Sequence, residues 1–330
     1  MENLLPILPI LVLVLAAEFV NGWTDAPNAI ATVVSTRVLT PYQALAMATV
    51  LNILGTMSGT AVAATIGTGI VRSDVITAGT VGAAMVAIIF WSTLAWYFGL
   101  PTSESHALVS GLAGAGMAVA GPSVLLWPGW KKVIIGLGFS TLLGFGMALA
   151  LMLAIYRLFA ESPPGLVRRV FGRLQILSAA FMAFSHGSND GQKFIGVFTL
   201  ALLLGGILPE FRVPLWVILL CGITMGIGTA VGGWRIVKTL GLHLTKLEPV
   251  NGFAAETSAA VAIEVASRLG IPLSTTHTIT TAIMGVGATR RFSAVRWGVG
   301  MKIVTTWILT FPVCGFIAWA LTKAIGFLFS

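Results

Sequence analysis

The chain has 330 residues, of which 57% are hydrophobic and only 9% are charged. Soluble domains carry about 25% charged residues, and so apolar a chain would expose large patches and aggregate in water. The composition therefore excludes an ordinary soluble enzyme or binding module. The net charge of +8 does not indicate a nucleic-acid surface, because the basic residues lie in short clusters between apolar runs, where juxtamembrane charges are found.

Long apolar runs recur along the chain, and residues 4–17, 75–103 and 133–156 contain no charged side chain. Runs of about 20 apolar residues cross a bilayer as helices, and these runs lack the alternation of barrel strands. The first run has neither a basic start nor a small-residue cleavage site, so we expect it to stay in the mature protein. The sequence predicts an all-α, multi-pass protein of the plasma (cell inner) membrane.

Six helical stretches are predicted in each half of the chain. In the first half they are 4–20, 26–36, 43–70, 75–98, 103–120 and 131–159, and in the second 172–185, 190–206, 213–240, 252–269, 274–288 and 294–327. A stretch as short as 26–36 reaches only roughly 16 Å at 1.5 Å per residue. Such short stretches are typical of discontinuous or re-entrant helices.

The most polar and basic segment, 160–173, separates the two halves and contains a Pro-Pro-Gly turn signal. Its arginines favour the cytoplasmic side of a membrane. We therefore predict a first transmembrane repeat over 1–159, a cytoplasmic linker over 160–173 and a second repeat over 174–330.

The two halves repeat one another in four blocks that keep the same order. The matched blocks begin at Phe19 and Phe184, at Gly59 and Gly228, at Pro101 and Pro272, and at Gly136 and Gly298. Duplicated halves with polar breaks in matching places are typical of secondary transporters. An odd number of membrane crossings in each half would invert the second repeat.

One polar segment, Asn21 to Asn28, directly follows the first apolar helix. We expect Gly22 and Pro27 to interrupt that helix and polar residues to cap a new one. The new N-terminus would offer free N–H groups and a positive dipole end to an anion. Asp25 would need a cation beside it, since a lone carboxylate at membrane depth costs about 3 kcal/mol on insertion scales.

A second copy of this segment runs from Ser185 to Lys193, with Asp190 in the place of Asp25 and Lys193 in the place of Asn28. Ordinary capped loops at the membrane surface are the alternative interpretation. Two copies in matching places favour a functional role, because duplicated intramembrane carboxylates usually serve transport.

A further pair of segments, 101–106 and 272–277, places hydroxyl-rich breaks before Gly-rich apolar helices. Hydroxyls and free N–H groups can bind phosphate oxygens without a fixed charge. Plain N-capping is the alternative, and His106 and His277 are equally well explained as core histidines. No nucleotide-binding loop, zinc-protease motif or cysteine cluster is present, so neither an ATPase nor a catalytic metal site is indicated.

These segments, with Glu248-Pro249 and 252–256, resemble the inorganic phosphate transporter (PiT) family over nearly the whole chain. The resemblance implies two inverted repeats with discontinuous or re-entrant helices, a central anion site, symport with Na⁺ or H⁺, and a homodimer. Some family members are similar to sulfate permeases, so a sulfate or other oxyanion permease is the alternative.

We therefore expect a secondary transporter, not an enzyme, that imports inorganic phosphate with a cation by alternating access and uses no cofactor. Cation ligands, with Na⁺ as the candidate metal, are expected at Asp25, Asp190 and Glu256. The remaining rivals are a membrane-embedded enzyme, which the duplication argues against, and a passive channel. Phosphate ligands are expected at Asn21, Asp25, Asn28, Thr102, Ser103, Ser105, Asn189, Asp190, Lys193, Ser274, Thr275 and Thr276.

Overall fold

The computed structural model describes residues 4–328, so the outermost residues of both predicted repeats, 1–3 and 329–330, lie outside the described part. This part is helical, with no strand beyond one isolated bridge between Val71 and Leu125. The predicted all-α class is confirmed. The helices are α1 (Leu4–Ser35), α2 (Pro41–Thr56), α3 (Ala61–Gly69), α4 (Ala78–Tyr97), α5 (Glu104–Ala120), α6 (Trp127–Leu158), α7 (Pro164–Leu204), α8 (Leu215–Val231), α9 (Trp234–Lys238), α10 (Pro249–Arg268), α11 (Thr275–Ala288) and α12 (Trp297–Leu328).

The predicted interruptions at Asn21–Asn28 and Ser185–Lys193 are wrong, because α1 and α7 run through them as continuous helices. Pro27 stays inside α1, where its ring and the nearby Trp23 carbonyl lie against Gly233 of the α8–α9 junction. Within membranes, packing of this kind lets proline and glycine remain in helices. No helix therefore begins at residue 26 or at residue 190, and neither segment offers the free N–H groups of a helix start to an anion.

The real breaks lie where single helices were predicted, within 43–70 and 213–240. The axes of α2 and α3 differ by 67°, and those of α8 and the helical segment Trp234–His243 differ by 61°. At the second break Gly232 has a φ of +72°, a conformation that glycine adopts without steric cost.

The helices of the two halves pack in reciprocal pairs. Helix α1 packs on α8 as α2 packs on α7, and α5 packs on α12 as α6 packs on α11. The pairs α4–α12 and α10–α6 are related in the same way. Each half therefore buries its helices against the other half.

The pairs α4–α5 and α10–α11 are hairpins whose turns reach the middle of the long helices. Trp96, near the end of α4, has its ring centroid 4.4 Å from that of Trp23 in α1. In the other hairpin Asn189 of α7 donates to the Ile271 carbonyl at 3.2 Å. The N-termini of α5 and α11 consequently face the centre of the molecule.

Two of the four repeat blocks do not join equivalent structural positions. Gly59 lies in the break between α2 and α3, whereas Gly228 lies within α8. Gly136 lies well inside α6, whereas Gly298 is the second residue of α12. In so Gly-rich a chain these matches follow from composition, and the blocks containing Asp25 and His106 are the ones that join corresponding helices.

The predicted linker is largely helical. Residues 160–163 form the turn after α6, and α7 begins at Pro164, a residue favoured in a first helical turn because its missing N–H is not needed there. Two buried apolar clusters fill the halves of the bundle, one containing Leu11, Met85 and Phe198 and the other Ile30, Phe171 and Ile263.

Glycines set how closely the long helices approach. A Cβ built on Gly187 of α7 would lie 2.7 Å from the Cα of Asn52 in α2, and one built on Gly22 of α1 would meet the Met225 carbonyl of α8. Small residues at membrane helix interfaces permit such backbone contacts.

We predict that Gly187→Ala lowers stability by about 1–3 kcal/mol, because overpacking forces α2 away from α7. The control is Gly146→Ala in α6, where a Cβ would meet nothing within 4 Å and should be neutral or slightly stabilising. Thermal unfolding of the purified protein in detergent measures both. Equal melting temperatures for the two variants would contradict this account of the interface.

Candidate functional site

A stripe of polar side chains runs along the buried face of α1. It consists of Glu18, Asn21, Asp25, Asn28 and Thr32, all buried, at the three- and four-residue intervals that place side chains on one helix face. Three side-chain oxygens of this stripe have no hydrogen-bond partner among residues 4–328, namely Glu18 Oε1, Asn21 Oδ1 and Asn28 Oδ1. Such buried, unsatisfied acceptors are suited to a cation or to a donor on a ligand.

A second stripe of buried polar side chains, His186, Asn189, Asp190 and Lys193, lies on α7, and the Lys193 ammonium in it is completely buried. The Lys193 ammonium donates to Asp190 Oδ1 one turn away and to the Ser105 hydroxyl of α5, and it lies 2.9 Å from the Leu273 carbonyl. A buried charge of this kind is tolerable only when it is paired and hydrogen-bonded. Asp190 and Lys193 therefore form one electrostatic unit that also ties α7 to both hairpin turns.

The N-termini of α5 and α11 close the site. Ser103 and Ser274 cap them, accepting from the backbone N–H groups of His106 at 3.3 Å and His277 at 3.2 Å. Plain N-capping is thus the observed role of these two serines. Thr102 is buried in the turn before α5.

The threonines of α11 connect the two stripes. Thr275 donates to Asp190 Oδ2 at 2.9 Å, and Thr276 contacts both carboxylate oxygens of Asp25 at 3.4 Å. Asn28 donates to the Thr276 hydroxyl at 2.9 Å. Residues distant in sequence thereby line one central site.

Asn189 and Ser105 hold the turn of the α10–α11 hairpin. The Asn189 amide donates to Ser267 Oγ at 2.9 Å and accepts from the Leu273 N–H at 3.1 Å. The Ser105 hydroxyl donates to the Leu273 carbonyl at 2.8 Å. Both residues position the site through this turn. Asn21 lies one turn of α1 before Asp25, where its amide donates to Glu18 at 2.9 Å.

Sequence reasoning did not select His186, although it lies in the second Asp-containing segment. One ligand atom each of Asp25, His186 and Asp190 lies within 4.8 Å of the others, and all three residues are buried. The Asn52 amide donates to Thr229 at 3.0 Å, so its oxygen faces His186 Nδ1, also at 3.0 Å. That arrangement makes Nδ1 the donor in the neutral ring and directs the lone pair of Nε2 toward Asp190, 3.5 Å away.

Two acceptors that face each other in a buried place require a proton or a cation between them. The group Asp25, His186 and Asp190 therefore has the donor set and spacing of a small cation site. The helical spacing of His186 from Asp190, one turn, is the signal in the sequence that could have identified it.

Glu256 lies apart from this group. Its carboxylate accepts from Thr32, Ser178 and Gln175, the last at 3.2 Å, so it meets α1 two turns beyond Asp25. Glu104 was also missed by sequence reasoning. It accepts from Thr24 at 3.0 Å at the edge of the central site.

His106 and His277 lie on the outer side of the hairpin N-termini. Their ring centroids are 4.5 Å apart, and His277 stacks on Trp307 at 3.6 Å. Both are enclosed by aromatic neighbours, but neither ring nitrogen of His277 has a hydrogen-bond partner among residues 4–328, unlike those of a satisfied core histidine.

Apolar helices, paired breaks and an enclosed polar centre between two helical halves together define a multi-pass membrane transporter. The model of the Phosphate transporter family matches residues 21–318. The chain belongs to that family. It is a transporter of the cell membrane and not an enzyme, and the predicted resemblance is confirmed.

Similar proteins and a solved structure agree with this family assignment. A Rhizobium meliloti (strain 1021) protein named "Probable low-affinity inorganic phosphate transporter" is 45% identical over 91% of this chain and 91% of its own length. A Bacillus subtilis (strain 168) protein of the same name is 39% identical over 94% and 95%. The solved structure of a protein described as "The sodium-dependent phosphate transporter" matches with a TM-score of 0.87 at 25% identity, covering 99% of this chain and 100% of that one.

We predict that Asp190→Asn destabilises the protein by about 3–5 kcal/mol, because it leaves the Lys193 ammonium buried without its carboxylate. The double variant Asp190→Asn/Lys193→Met removes both charges and should recover most of that loss. Thermal unfolding in detergent measures the difference. If Asp190→Asn alone melts like the unmodified protein, the two side chains do not form the electrostatic unit described above.

Proposed function

We propose that the protein imports inorganic phosphate by symport with a cation, Na⁺ or H⁺, through alternating access. The observation that carries the proposal is the adjacency of two unlike half-sites at the centre of the molecule. Lys193 and the hydroxyls at the N-termini of α5 and α11 suit an anion, while Asp25, His186 and Asp190 suit a cation.

Charge explains why the two half-sites should adjoin. Phosphate carries one to two negative charges at neutral pH, and each charge that enters against an inside-negative potential costs about 2.3 kcal/mol per 100 mV. A cation bound beside Asp25 and Asp190 would offset that cost and neutralise carboxylates that would otherwise repel the anion. The similar solved transporter is described as sodium-dependent, which supports Na⁺ as the ion.

The predicted ligands then divide by position. Asn28, Thr275, Thr276 and Lys193 line the centre and are our proposed phosphate contacts, with Ser105 beside them. Asp25 and Asp190 would serve both half-sites, since each could also accept the proton of phosphate. Asn21, Thr102, Ser103, Asn189 and Ser274 surround that set and would contribute by shaping the two turns and extending the polar stripe. Glu256 would bind a cation only at a separate point toward the linker side.

The packing supports two inverted repeats, one ending at residue 159. The α4–α5 hairpin starts beside the start of α1, where Gly82 lies against Ile10, whereas the α10–α11 hairpin starts beside the start of α7, where Gly252 lies against Gln175. Because α7 starts where α6 ends, the two hairpins enter from opposite sides. Each half then crosses the membrane three times, with α1, α2–α3 and α6 matched by α7, α8–α9 and α12.

The basic residues support a cytoplasmic location for 160–173. Side chains at the end where α1 finishes and α7 begins include Arg37, Arg157, Arg168, Arg169, Arg173, Lys246, Arg290, Arg291 and Arg296, whereas the opposite end has Arg72, Lys131, Lys132, Arg212 and Lys323. Cytoplasmic segments carry the excess of Lys and Arg. A homodimer, which the resemblance implies, is part of the same proposal, and the mass of the complex in native membrane particles would test it.

The carboxylates favour phosphate over sulfate as the transported anion. Phosphate at neutral pH still carries a proton that can be donated to a carboxylate, whereas sulfate has only acceptors. Asp25 and Asp190, both facing the centre, would therefore accept from phosphate and repel sulfate.

We predict that Asp25→Asn abolishes cation-driven phosphate uptake without loss of folding, since among residues 4–328 the side chain of Asp25 accepts hydrogen bonds only from Thr276, at 3.4 Å. Uptake of labelled phosphate into proteoliposomes, with Na⁺ or pH gradients applied separately and sulfate as competitor, is the measurement. Glu161→Gln, an exposed change on the linker, is the control. Normal, gradient-dependent uptake by Asp25→Asn would show that this carboxylate is structural.

We predict that a cysteine replacing Glu161 is protected from a membrane-impermeant thiol reagent in intact cells, whereas one replacing Ser123, at the opposite end, is labelled. Both native cysteines, Cys221 and Cys314, are buried and give little background. Labelling of the residue-161 variant without permeabilisation would reverse the proposed orientation.

A further inference from the structure

A basic cavity lies at the linker-side end of α1. It has a volume of about 540 Å³ and lies between the end of α1, the start of α7, the 246–250 segment and Arg290, two residues beyond the end of α11. That volume is within the usual range of ligand pockets. Four cationic side chains line it, Arg37, Arg168, Lys246 and Arg290. We call it the basic vestibule.

Most of this positive charge is not neutralised. Arg290 donates to the Glu248 carboxylate at 2.7 Å, and that hydrogen bond raises the pKa of the Arg290 guanidinium. Arg37, Arg168 and Lys246 have no ion-pair partner in the part of the chain that the structure describes. The vestibule therefore has a net positive charge with room for an anion.

The backbone at Arg37 is an independent observation. Its φ is +61°, and it is the one non-glycine residue among 4–328 in the left-handed region. That conformation costs a side-chain-bearing residue about 1–2 kcal/mol, so glycine would serve better if only the turn after α1 mattered. Strained residues of this kind are concentrated at ligand-binding places, and here the strain presents a guanidinium to the vestibule.

The inner wall of the vestibule connects to the central site. Thr36, which lines the cavity, donates to Gln175 Oε1 at 2.9 Å, and Gln175 donates to Glu256 at 3.2 Å. Glu256 also accepts from Thr32. Thr32 lies one turn of α1 beyond Asn28, which belongs to the central site. Hydrogen-bonded polar side chains thus continue from the vestibule to Thr32, one turn from the central site.

We propose that the basic vestibule is a second binding site for a phosphate-bearing anion, separate from the central site and on its cytoplasmic side. Arg37, Arg168 and Lys246 attract the anion, and Arg290, fixed by Glu248, forms the rim. If the protein imports phosphate as proposed above, the vestibule is also where the transported phosphate stays before its release. Anion binding in the vestibule does not depend on that proposed function. Two sources share this chemistry, free inorganic phosphate and the headgroup of an anionic phospholipid.

The test compares two triple variants with the same loss of charge. The vestibule variant is Arg37→Gln/Arg168→Gln/Lys246→Gln, and the control is Arg169→Gln/Arg173→Gln/Arg291→Gln, whose residues are at the same end but do not line the cavity. Both are made with Asp190→Asn/Lys193→Met, which removes the central ammonium group together with its carboxylate partner. Binding of labelled inorganic phosphate is measured by equilibrium dialysis in phosphatidylcholine nanodiscs, with and without phosphatidylglycerol, and thermal unfolding verifies folding.

We expect the control to bind phosphate and the vestibule variant to bind about tenfold more weakly, since three screened cations each contribute modestly. If phosphatidylglycerol abolishes phosphate binding by the control, the headgroup is the natural occupant, and if it does not, free phosphate is. Equal phosphate binding and equal phosphatidylglycerol competition by the two folded variants would overturn the proposal. A separate comparison tests whether phosphate binds at the central site. If it does not, the Asp190→Asn/Lys193→Met variant and the unmodified protein will bind the same number of phosphate ions.

Discussion

The structure depends on keeping one ammonium group, that of Lys193, charged where water cannot reach it. A cation without compensation at that depth is prohibitively costly, so its surroundings are arranged around it. Asp190 supplies the opposite charge, Ser105 and the Leu273 carbonyl supply acceptors, and these come from α7, α5 and the α10–α11 turn. The positions of both hairpins are therefore fixed by the contacts of this one ammonium group.

This arrangement needs long helices whose backbones come into contact, and glycines make that close approach possible. Gly22 meets α8 and Gly187 meets α2, each within one turn of a central aspartate. A helix broken at these places would lose the regular spacing that lines up Asp25 with Asn28 and Asp190 with Lys193. Continuity of α1 and α7 is thus a requirement of the site, and the breaks are placed in α2–α3 and α8–α9, which support it.

Much of the architecture could be predicted from sequence, because membrane burial imposes strong patterns. Apolar run lengths indicated the helical class, and the recurrence of Asp25 as Asp190 indicated the central carboxylates. Local signals failed where packing overrides them. Gly22 and Pro27 are helix breakers in water, but against Gly233 and Met225 they are tolerated within α1. His186 and Glu104 became recognisable only when the fold brought them beside Asp190 and Thr24, since helical spacing alone does not say which buried face is the site.

The two ends of α1 are unlike, and this difference bears on the alternating access proposed above. Toward the linker side the stripe remains polar through Thr32 to Thr36, whereas toward the other side Val14, Leu11 and Ile7 are buried in the apolar cluster that also contains Met85. Apolar side chains therefore separate the central site from that end, whereas buried polar side chains continue from it toward the linker side. Opening the other end requires the α4–α5 hairpin, which contributes Met85 to that cluster, to move away from α1. The same hairpin holds Ser105 against Lys193. Such a movement would therefore also loosen the proposed anion half-site, so that anion binding and access to the centre would be coupled through this contact.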